Sequence, residues 1–496
     1  MYARIVRAFG DRCQCLLHCA DGGGERPAAN DRNTEIEKIL NKEKRHYIPM
    51  IDKILIANRG EIALRIIRAC RELGIETVAV YSTADKNALH AQIADRSVCI
   101  GGARSTDSYL NTRAILAACE ITGARAIHPG FGFLSESSRF VRLCDRCGIK
   151  WIGPGAEAME AMGDKANAKA TMIKAGVPVV RGSDGVVADL DEAKRISAEI
   201  GYPVLVKASA GGGGRGIRRA DSEKDLESAL TAAKQEALRF FGNDDVYIEK
   251  FIVNPRHVEI QILADEHGNV IHLGERDCSC QRRNQKVLEE SPSPIMTPEL
   301  RERMGEAAVK AAKACGYQNA GTVEFLVDND RNFYFMEMNA RIQVEHPVTE
   351  METGIDLIKQ QIMIASGMPL GIKQEDVKLS GHTIECRINA EDPKNGFRPC
   401  PGRIESVHCP GGFGVRIDTA VYQGYEIPQY YDNMIANLIV HGQNREEAIT
   451  KMRVALGEML IEGVQTNIDY QLNLLRDKEF RSGRFDIGFL NRKDFS

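Results

Sequence analysis

At 496 residues the chain can bury a large core and is long enough for more than one domain. Its 65 basic and 69 acidic side chains leave a formal net charge of -4, so no basic excess points to nucleic acid. Fourteen cysteines without a recognisable signal peptide read as reduced cytoplasmic thiols, and no apolar run approaches a membrane span.

Residues 1–49 differ from the rest of the chain. They are charged, carry Asp21-Gly-Gly-Gly-Glu-Arg-Pro27 and show no sustained periodicity apart from a short helical pattern near Thr34 to Lys44, and so read as a disordered extension. A transit peptide is the alternative, but such segments are poor in acids and this one is not. From Ile51 the pattern alternates. Lys53-Ile-Leu-Ile-Ala57 reads as a buried strand, Glu61 to Leu73 as a helix, Glu76 to Tyr81 as a strand, Asn111 to Ile121 as a helix and Ala124 to His128 as a further strand. Strands alternating with helices give a parallel, doubly wound sheet. Asn58-Arg-Gly60 follows the first strand, where ligands collect in such sheets, but it lacks the glycine pattern of dinucleotide binding. His128-Pro-Gly-Phe-Gly-Phe133 closes another strand and reads equally well as a plain turn. The closely spaced Cys144/Cys147 and Cys278/Cys280 each lack a matching second pair, which favours structural thiols over a metal site.

After a helix around Asp164 to Ala175, a second unit begins near Val179. Tyr202-Pro-Val-Leu-Val-Lys207 reads as a strand ending in lysine and runs straight into Ala208-Ser-Ala-Gly-Gly-Gly-Gly-Arg-Gly216. Consecutive glycines let backbone N–H groups turn toward a phosphate, and Lys207 adds a point charge. The lysine precedes the glycines, which is not the P-loop order. A glycine run alone would be a flexible hairpin; beside Lys207 it reads as a phosphate lid. Asp245-Val-Tyr-Ile-Glu-Lys-Phe-Ile252 is another strand, with Glu249 placed for ribose or amine contacts.

The densest chemistry lies in Asn332-Phe-Tyr-Phe-Met-Glu-Met-Asn-Ala-Arg-Ile-Gln-Val-Glu-His346. On a strand Glu337, Asn339 and Arg341 share a face, and Gly321-Thr-Val-Glu-Phe-Leu-Val-Asp328 reads as the hairpin partner. A four-residue turn from Asn329 to Asn332 sets Asp328 opposite Phe333 and Glu324 opposite Glu337; a five-residue loop would separate the two glutamates. The four-residue turn is expected here. Facing carboxylates repel unless a cation lies between them, and Mg²⁺ suits carboxylates, an amide oxygen and phosphates. A solvated hairpin face with unrelated acids is the plain alternative.

Lys165 in Met-Gly-Asp-Lys, Lys207 with its glycines, Glu249-Lys-Phe-Ile252, and Glu324, Glu337 and Asn339 together resemble the ATP-grasp ligases. Longer segments narrow the resemblance. Ile56-Ala-Asn-Arg-Gly-Glu-Ile62, His128-Pro-Gly-Phe-Gly-Phe-Leu-Ser-Glu136, Asn254-Pro-Arg-His-Val-Glu259, Glu275-Arg-Asp-Cys-Ser279, Gln281-Arg-Arg-Asn-Gln-Lys286, Arg341-Ile-Gln-Val-Glu-His-Pro-Val-Thr-Glu350 and Glu385-Cys-Arg-Ile-Asn-Ala-Glu-Asp392 resemble biotin carboxylase, in order, from Ile51 to Ile487. The fold class this implies is α/β and α+β: a doubly wound N-terminal domain followed by an ATP-grasp fold with a glycine-lid lobe and a large C-terminal lobe. Its divisions would be an N-terminal domain over 50–152, linker helices over 153–179, a lid over 180–251, and the C-terminal lobe with the biotin carboxylase C-terminal domain over 252–496.

On these positions the resemblance implies that Lys165, Lys207 and His257 contact ATP phosphates or ribose, that Gly213 and Gly214 lie in the lid, and that Glu249 and Ile252 line the adenine end. Glu324 and Glu337 would hold two Mg²⁺ ions, for which Mn²⁺ could substitute, supported by Asn339. Lys286, Arg341, Gln343 and Val344 would cradle bicarbonate, Glu345 would remove its proton, and Arg387 would stabilise the biotin enolate. Three positions depart from the family pattern: Ala210 interrupts the glycine run and would stiffen the lid's hinge, while Asn284 in place of a usual His and Phe131 in place of a usual Tyr bear on affinity. Pro401 to Ile404 and Pro410 to Arg416 read as strand and turn, and Arg445 to Leu460 as a helix, completing the last lobe; by the resemblance Arg65, Arg68, Glu72, Phe413 and Arg416 would meet a second copy in a homodimer, although sequence alone favours ordinary surface charge for the first three. No Met-Lys-Met acceptor segment occurs in the sequence, so biotin is expected on a separate biotin carboxyl carrier protein, with carboxyltransferase subunits in the same complex. Acetyl-CoA carboxylase is the expected setting and a pyruvate or another acyl-CoA carboxylase the alternative. A carbamoyl-phosphate-forming ATP-grasp ligase would need ammonia, and a non-enzymatic ATP-binding module would not need Lys286, Arg341 and Glu345.

Overall fold

The structure is a computed structural model that describes residues 51–163, 165–209 and 216–495, without the side chains of residues 165, 166 and 241. The extension over 1–49, Ala210 and the lid glycines Gly213 and Gly214 lie outside the described residues.

Five strands form the first sheet: β1 (Lys53–Ile56), β2 (Glu76–Ser82), β3 (Arg96–Gly101), β4 (Ala126–His128) and β5 (Lys150–Trp151). Their order is β3-β2-β1-β4-β5, and every pairing is parallel. Helices cover such a sheet on both faces, which is why Ile54, Leu55 and Ile56 run consecutively without polar alternation and are fully buried. The helix Gly60–Glu72 turns Ile62, Ala63, Ile66, Ile67 and Cys70 inward at helical spacing. The chain leaves β1 and β4 in opposite directions, opening a crevice between their carboxyl ends. Asn58 spans it, donating from Nδ2 to the carbonyls of Pro129 at 2.6 Å and Phe131 at 2.7 Å. Asn58 thus pins the His128–Phe133 loop to the end of β1.

A three-stranded antiparallel sheet comes next, ordered β7-β6-β8 from β6 (Val204–Ala208), β7 (Ile217–Ala220) and β8 (Val246–Lys250). It has its own core, in which Val204, Val206, Val246 and Ile248 pack on Ile196, Leu226, Ala229 and Ala233 of two helices. This lobe hangs on the rest through the segments around Arg181 and Phe251.

The largest sheet has eight antiparallel strands: β9 (Arg256–Ala264), β10 (Val270–Arg282), β11 (Gln285–Ser291), β12 (Asn319–Val327), β13 (Phe333–Asn339), β14 (His382–Asn389), β18 (Val415–Thr419) and β19 (Met434–Gly442). Their order is β13-β12-β9-β10-β11-β14-β19-β18. Two ribbons accompany it, β15 (Glu391–Asp392) with β16 (Arg398–Pro399) and β17 (Ser406–His408) with β20 (Leu460–Glu462). The helix expected over Arg445 to Leu460 ends at Glu458, since Leu460 already belongs to β20. One core joins the first sheet to the eight-stranded one, with Leu55, Val78 and Ile127 in the same cluster as Val258, Ile260 and Phe325.

A clamp reinforces that union. Arg59, just past β1, reaches Asp85 with Nε at 2.7 Å and Nη2 at 2.8 Å, while the Tyr109 hydroxyl donates to Asp85 at 2.6 Å. The guanidinium also lies 4.3 Å from the centroid of Tyr431 and donates to the Tyr425 hydroxyl at 3.3 Å, tying the first sheet to the C-terminal region. Asp85 is fully buried, and its carboxyl stays below the usual range because Arg59 overcomes the effect of burial.

The β12/β13 hairpin corrects the expected turn. Val327 pairs with Phe333, so the loop has five residues, Asp328 to Asn332, and Asp328 does not face Phe333. A bulge then shifts the register between Glu324 and Phe325, placing two residues of β13 against one of β12 and restoring Glu324 opposite Glu337. Five loop residues suit Asp328, whose carboxylate accepts the backbone N–H groups of Asp330 at 3.0 Å and Asn332 at 2.8 Å.

Candidate active site

Glu324 is the hub at the hairpin end. Its Oε1 accepts from Asn339 Nδ2 at 2.8 Å, Lys286 Nζ at 3.2 Å and Gln343 Nε2 at 3.3 Å, while Nε2 of His257 lies 2.9 Å from Oε2. Burial opposes ionisation of Glu324, but Lys286 and His257 win and hold the carboxyl well below the usual range. Burial likewise opposes protonation of His257, and Glu324 more than offsets it, raising the imidazole. Glu337 lies opposite Glu324 on a half-buried position of β13. Two carboxylates in register, with an amide beside them, fit Mg²⁺ in donor type and charge. His257, Glu259 and Glu324 also bring one ligand atom each within 4.8 Å of one another.

Lys286, on β11, bridges three carboxylates: Glu345 Oε1 at 2.5 Å, Glu259 Oε2 at 2.6 Å and Glu324 Oε1 at 3.2 Å. Burial pushes the ammonium down and the surrounding acids push it up further, so Lys286 stays charged. Glu345, fully buried at the N-cap of the helix His346–Thr353, takes Lys286 on one oxygen and Arg387 Nη2 on the other at 3.0 Å. Those cations hold it well below the usual range despite burial. Arg387, on β14, also donates from Nε to Glu289 Oε1 at 2.7 Å, and its carbonyl accepts from Asn467 and Gln471. Arg341 completes the chain, with Nη1 on Gln343 Oε1 at 2.6 Å, Nη2 on Asn339 Oδ1 at 3.2 Å and Nε on Glu136 Oε2 at 3.1 Å. Val344 is a half-buried turn residue next to Glu345.

A second cluster forms at the lid. Glu249 accepts from Lys207 Nζ at 2.6 Å and from Lys169 Nζ at 2.8 Å. Burial would raise its carboxyl, but the two lysines lower it. Lys207 therefore already has an anionic partner. Ile252 is half-buried just beyond β8. Lys165 opens the helix Lys165–Lys174, with its side chain outside the described atoms.

Several members of these clusters were not singled out from sequence. Glu259 stands two residues from His257 on β9, so both face the same way, as the strand period dictates. Its other oxygen accepts from Arg276 Nε at 2.6 Å, and Arg276, fully buried, also donates to Gln261, Thr322 and Thr349. Lys169 stands one helical turn from Lys165, a spacing that signals a shared face. Glu136 ends the segment that begins at His128 and had no role assigned to it. Glu289 and Glu385 had no sequence signal, because acids inside a strand read as solvent-facing. Cys278 and Cys280 are buried free thiols, with Cys278 Sγ 3.9 Å from Glu345 Oε1, and Cys278, Glu259 and Glu345 bring one ligand atom each within 4.8 Å of one another.

A row of carboxylates bound by fixed cations, with an acidic pair at one end and an arginine shared between Glu289 and Glu345 at the other, suits the handling of small anions and transferring charge. Known proteins carry the same arrangement of domains. Residues 50–159 match the family described as biotin carboxylase, N-terminal domain; residues 164–373 match the carbamoyl-phosphate synthase L chain, ATP binding domain; and residues 385–492 match the biotin carboxylase C-terminal domain. The chain is 59% identical over 446 residues to biotin carboxylase 1 of Bacillus subtilis, covering 90% of this chain and 99% of that protein. It is 56% identical to a pyruvate carboxylase subunit of Methanothermobacter thermautotrophicus, covering 89% and 90%. It superimposes with a TM-score of 0.83 and 54% identity on the biotin carboxylase domain dimer of Hydrogenobacter thermophilus 2-oxoglutarate carboxylase, crystallised with MgADP, ADP and bicarbonate, covering 89% of this chain and 98% of that one. With an N-terminal parallel sheet, an ATP-grasp fold and identity above half over nearly all of three matched regions, the chain belongs to the biotin carboxylase family of ATP-dependent ligases.

Proposed function

We propose that this chain carboxylates biotin carried on a separate biotin carboxyl carrier protein, using bicarbonate and ATP through carboxyphosphate, as the first half-reaction of an acetyl-CoA carboxylase supplying malonyl-CoA for fatty-acid synthesis. The observation that carries the reading is Lys286 held between Glu345, Glu259 and Glu324 while Arg387 holds the other oxygen of Glu345. One carboxylate thus sits between two cations, each of which has a substrate anion to bind.

In this reading Glu345 is the base for bicarbonate. Its proton affinity is low while both cations hold it; bicarbonate drawing Lys286 aside, and the biotin ureido oxygen drawing Arg387 aside, would raise it toward the working range. Arg341, Gln343 and the backbone at Val344 position the bicarbonate oxygens for attack on the γ-phosphate. Glu324 and Glu337, with Asn339, would hold Mg²⁺, which supplies charge neutralisation for the transferring phosphoryl group. Carboxyphosphate then yields CO₂ and phosphate; the phosphate takes the ureido proton, and Arg387 stabilises the negative charge on the enolate oxygen while the deprotonated ureido nitrogen attacks CO₂. Lys207, Lys165 and His257 would meet the nucleotide, with Lys207 exchanging Glu249 for phosphate as the lid lobe over 180–251 and its Gly213 and Gly214 close; Ile252 would pack at the base. The 153–179 helices would link the 50–152 domain to the lid, and 252–496 would carry the remaining sites.

Arg65 and Arg416 both bind Glu350, and Phe413 is 95% exposed, which supports a homodimer contact there. Among the described residues no helix is long and apolar enough to cross a membrane. The described cysteines are free, which supports a cytoplasmic setting. A pyruvate carboxylase is the second reading of the final acceptor, favoured by the 56% identical relative of that name. Purified chain given ATP, Mg²⁺ and bicarbonate tests the activity: free biotin should stimulate ADP release. Release without stimulation, or stimulation by ammonia instead, overturns it, and copurified carboxyltransferase assayed with acetyl-CoA against pyruvate decides the acceptor.

A further inference from the structure

Behind Arg387 lies an acidic pair to which the reaction above gives no role. Glu289 on β11 and Glu385 on β14 are register partners of adjacent antiparallel strands, and both side chains are fully buried. Directly opposed side chains of this kind have Cβ atoms about 5 Å apart. Like charges at that separation inside a protein demand a counter-ion or a proton. Arg387 gives its Nε and Nη2 to Oε1 of Glu289, at 2.7 and 2.6 Å, and shares Nη2 with Glu345. Oε2 of Glu289 and both oxygens of Glu385 are buried without a hydrogen-bond partner. A buried carboxylate with neither oxygen satisfied is costly, whereas the neutral acid needs only one acceptor.

The groups around the pair leave no cation to spare. Glu385 is faced by Glu289 from β11, by Arg387 on its own strand, by Glu345 before the helix His346–Thr353 and by Asp418 from β18, while its partner on β19 is the apolar Ile439. Glu289 is faced by Arg387, Glu345 and, more distantly, Lys286. Lys286 is taken by Glu345, Glu259 and Glu324, and Arg416 binds Asp418 and Glu350. One guanidinium is left among Glu289, Glu345 and Glu385.

We propose that Glu289 and Glu385 hold one proton between them, Glu385 being the neutral member, and that the Glu289 carboxylate thereby positions Arg387 beside Glu345. Burial, and then the facing acid, pushes the Glu385 carboxyl well above the ordinary range, and burial lifts Glu289 to about 7 against the pull of Arg387. With the proton present, Arg387 answers to one carboxylate behind it and stays available in front. Loss of the proton adds a second charge behind the guanidinium and draws it back from the position where, in the function proposed above, it meets the biotin oxygen. Glu289 and Glu385 are positioning residues; neither touches substrate.

The test uses the full chain. Infrared spectra at pH 7 should show a protonated carboxylic-acid carbonyl band that Glu385→Gln removes. Its absence from the unsubstituted protein, or its persistence in the variant, overturns the assignment. So does failure of Glu385→Gln to fold, because replacing a neutral acid by a near-isosteric amide strands no charge. Kinetically, kcat/KM for free biotin in the unsubstituted protein should fall by about tenfold per pH unit once the pair loses its proton, and Glu385→Gln should lack that alkaline limb. A superimposable pH profile overturns the positioning role. Glu289→Gln should raise KM for biotin by about tenfold while biotin-independent ATP cleavage is retained, with partial rescue in Glu289→Asp; equal loss of both reactions counts against it. If Arg387→Ala leaves biotin kinetics intact while the infrared band remains, the biotin role of Arg387 fails and the shared proton stands.

Discussion

Nζ of Lys286 lies 2.5 Å from Oε1 of Glu345, and the opposite oxygen of the same carboxylate accepts from Arg387 at 3.0 Å. A carboxylate saturated by two cations is a poor base until both find other anions. In the function proposed above, proton removal by Glu345 is thereby tied to the arrival of substrates, since Lys286 and Arg387 would both bind them and hold the base inactive.

Glu345→Gln preserves the shape of this site and removes the charge. Biotin-dependent ADP formation should fall by about 10²- to 10⁴-fold, the usual contribution of a positioned base, while nucleotide binding measured by titration is retained. Strong residual carboxylation would remove Glu345 from that role.

Lys207→Gln leaves Glu249 with Lys169 as its remaining cation among these contacts. The KM for ATP should rise roughly tenfold, equivalent to about 1.4 kcal/mol, with a smaller effect on kcat. An unchanged KM would show that Lys207 stays with Glu249 throughout the cycle.

Glu352 supplies a pH-dependent term in stability. Burial raises its carboxyl to about 8 although the Ser291 hydroxyl donates to it, and Glu275 adds to the rise. The folded form therefore binds the proton more tightly than the unfolded chain does. The stabilisation is fully present below the ordinary carboxylate range and is lost as pH rises through about 8. Thermal denaturation of Glu352→Gln should decline less between pH 6 and pH 9 than that of the unsubstituted protein, and parallel curves would assign the pH dependence elsewhere.

Asp85→Ala removes the acceptor of the buried Arg59 clamp. Breaking a buried pair on one side costs about 3–5 kcal/mol, so the melting temperature should drop markedly, whereas Arg113→Ala, on the exposed face of the helix Thr112–Thr122, should change it little. Equal effects would mean that the Tyr109, Tyr425 and Tyr431 contacts suffice without the ion pair.

The parallel sheet and the lid strands were legible in the sequence because alternation carries them directly, while Lys286, Glu345 and Arg387 came forward only through the family resemblance of the motifs around them, and the structure joins them to Glu324 in one chain of contacts. The pairing of Glu324 with Glu337 was anticipated for the wrong reason. Phe333 to Asn339 alternates too weakly to reveal that the extra loop residue is compensated by a bulge, and two single-residue shifts cancel. Glu289 and Glu385 stayed hidden because their buried position depends on strands nearly one hundred residues apart becoming neighbours. Lys169 and Glu259 were within reach of the helical and strand periods applied to residues already named.

The eight-stranded sheet also acts as a ruler. Glu324 stands on β12 and Arg387 on β14, with β9, β10 and β11 between them. Four strand spacings of about 4.8 Å amount to roughly 19 Å measured along the sheet. The lid has its own sheet and can shift without altering this distance. In the function proposed above, whatever passes from the Glu324 end to the Arg387 end would travel along a track of fixed length, which leaves speed and escape along that track as the quantities evolution can adjust by changing side chains alone.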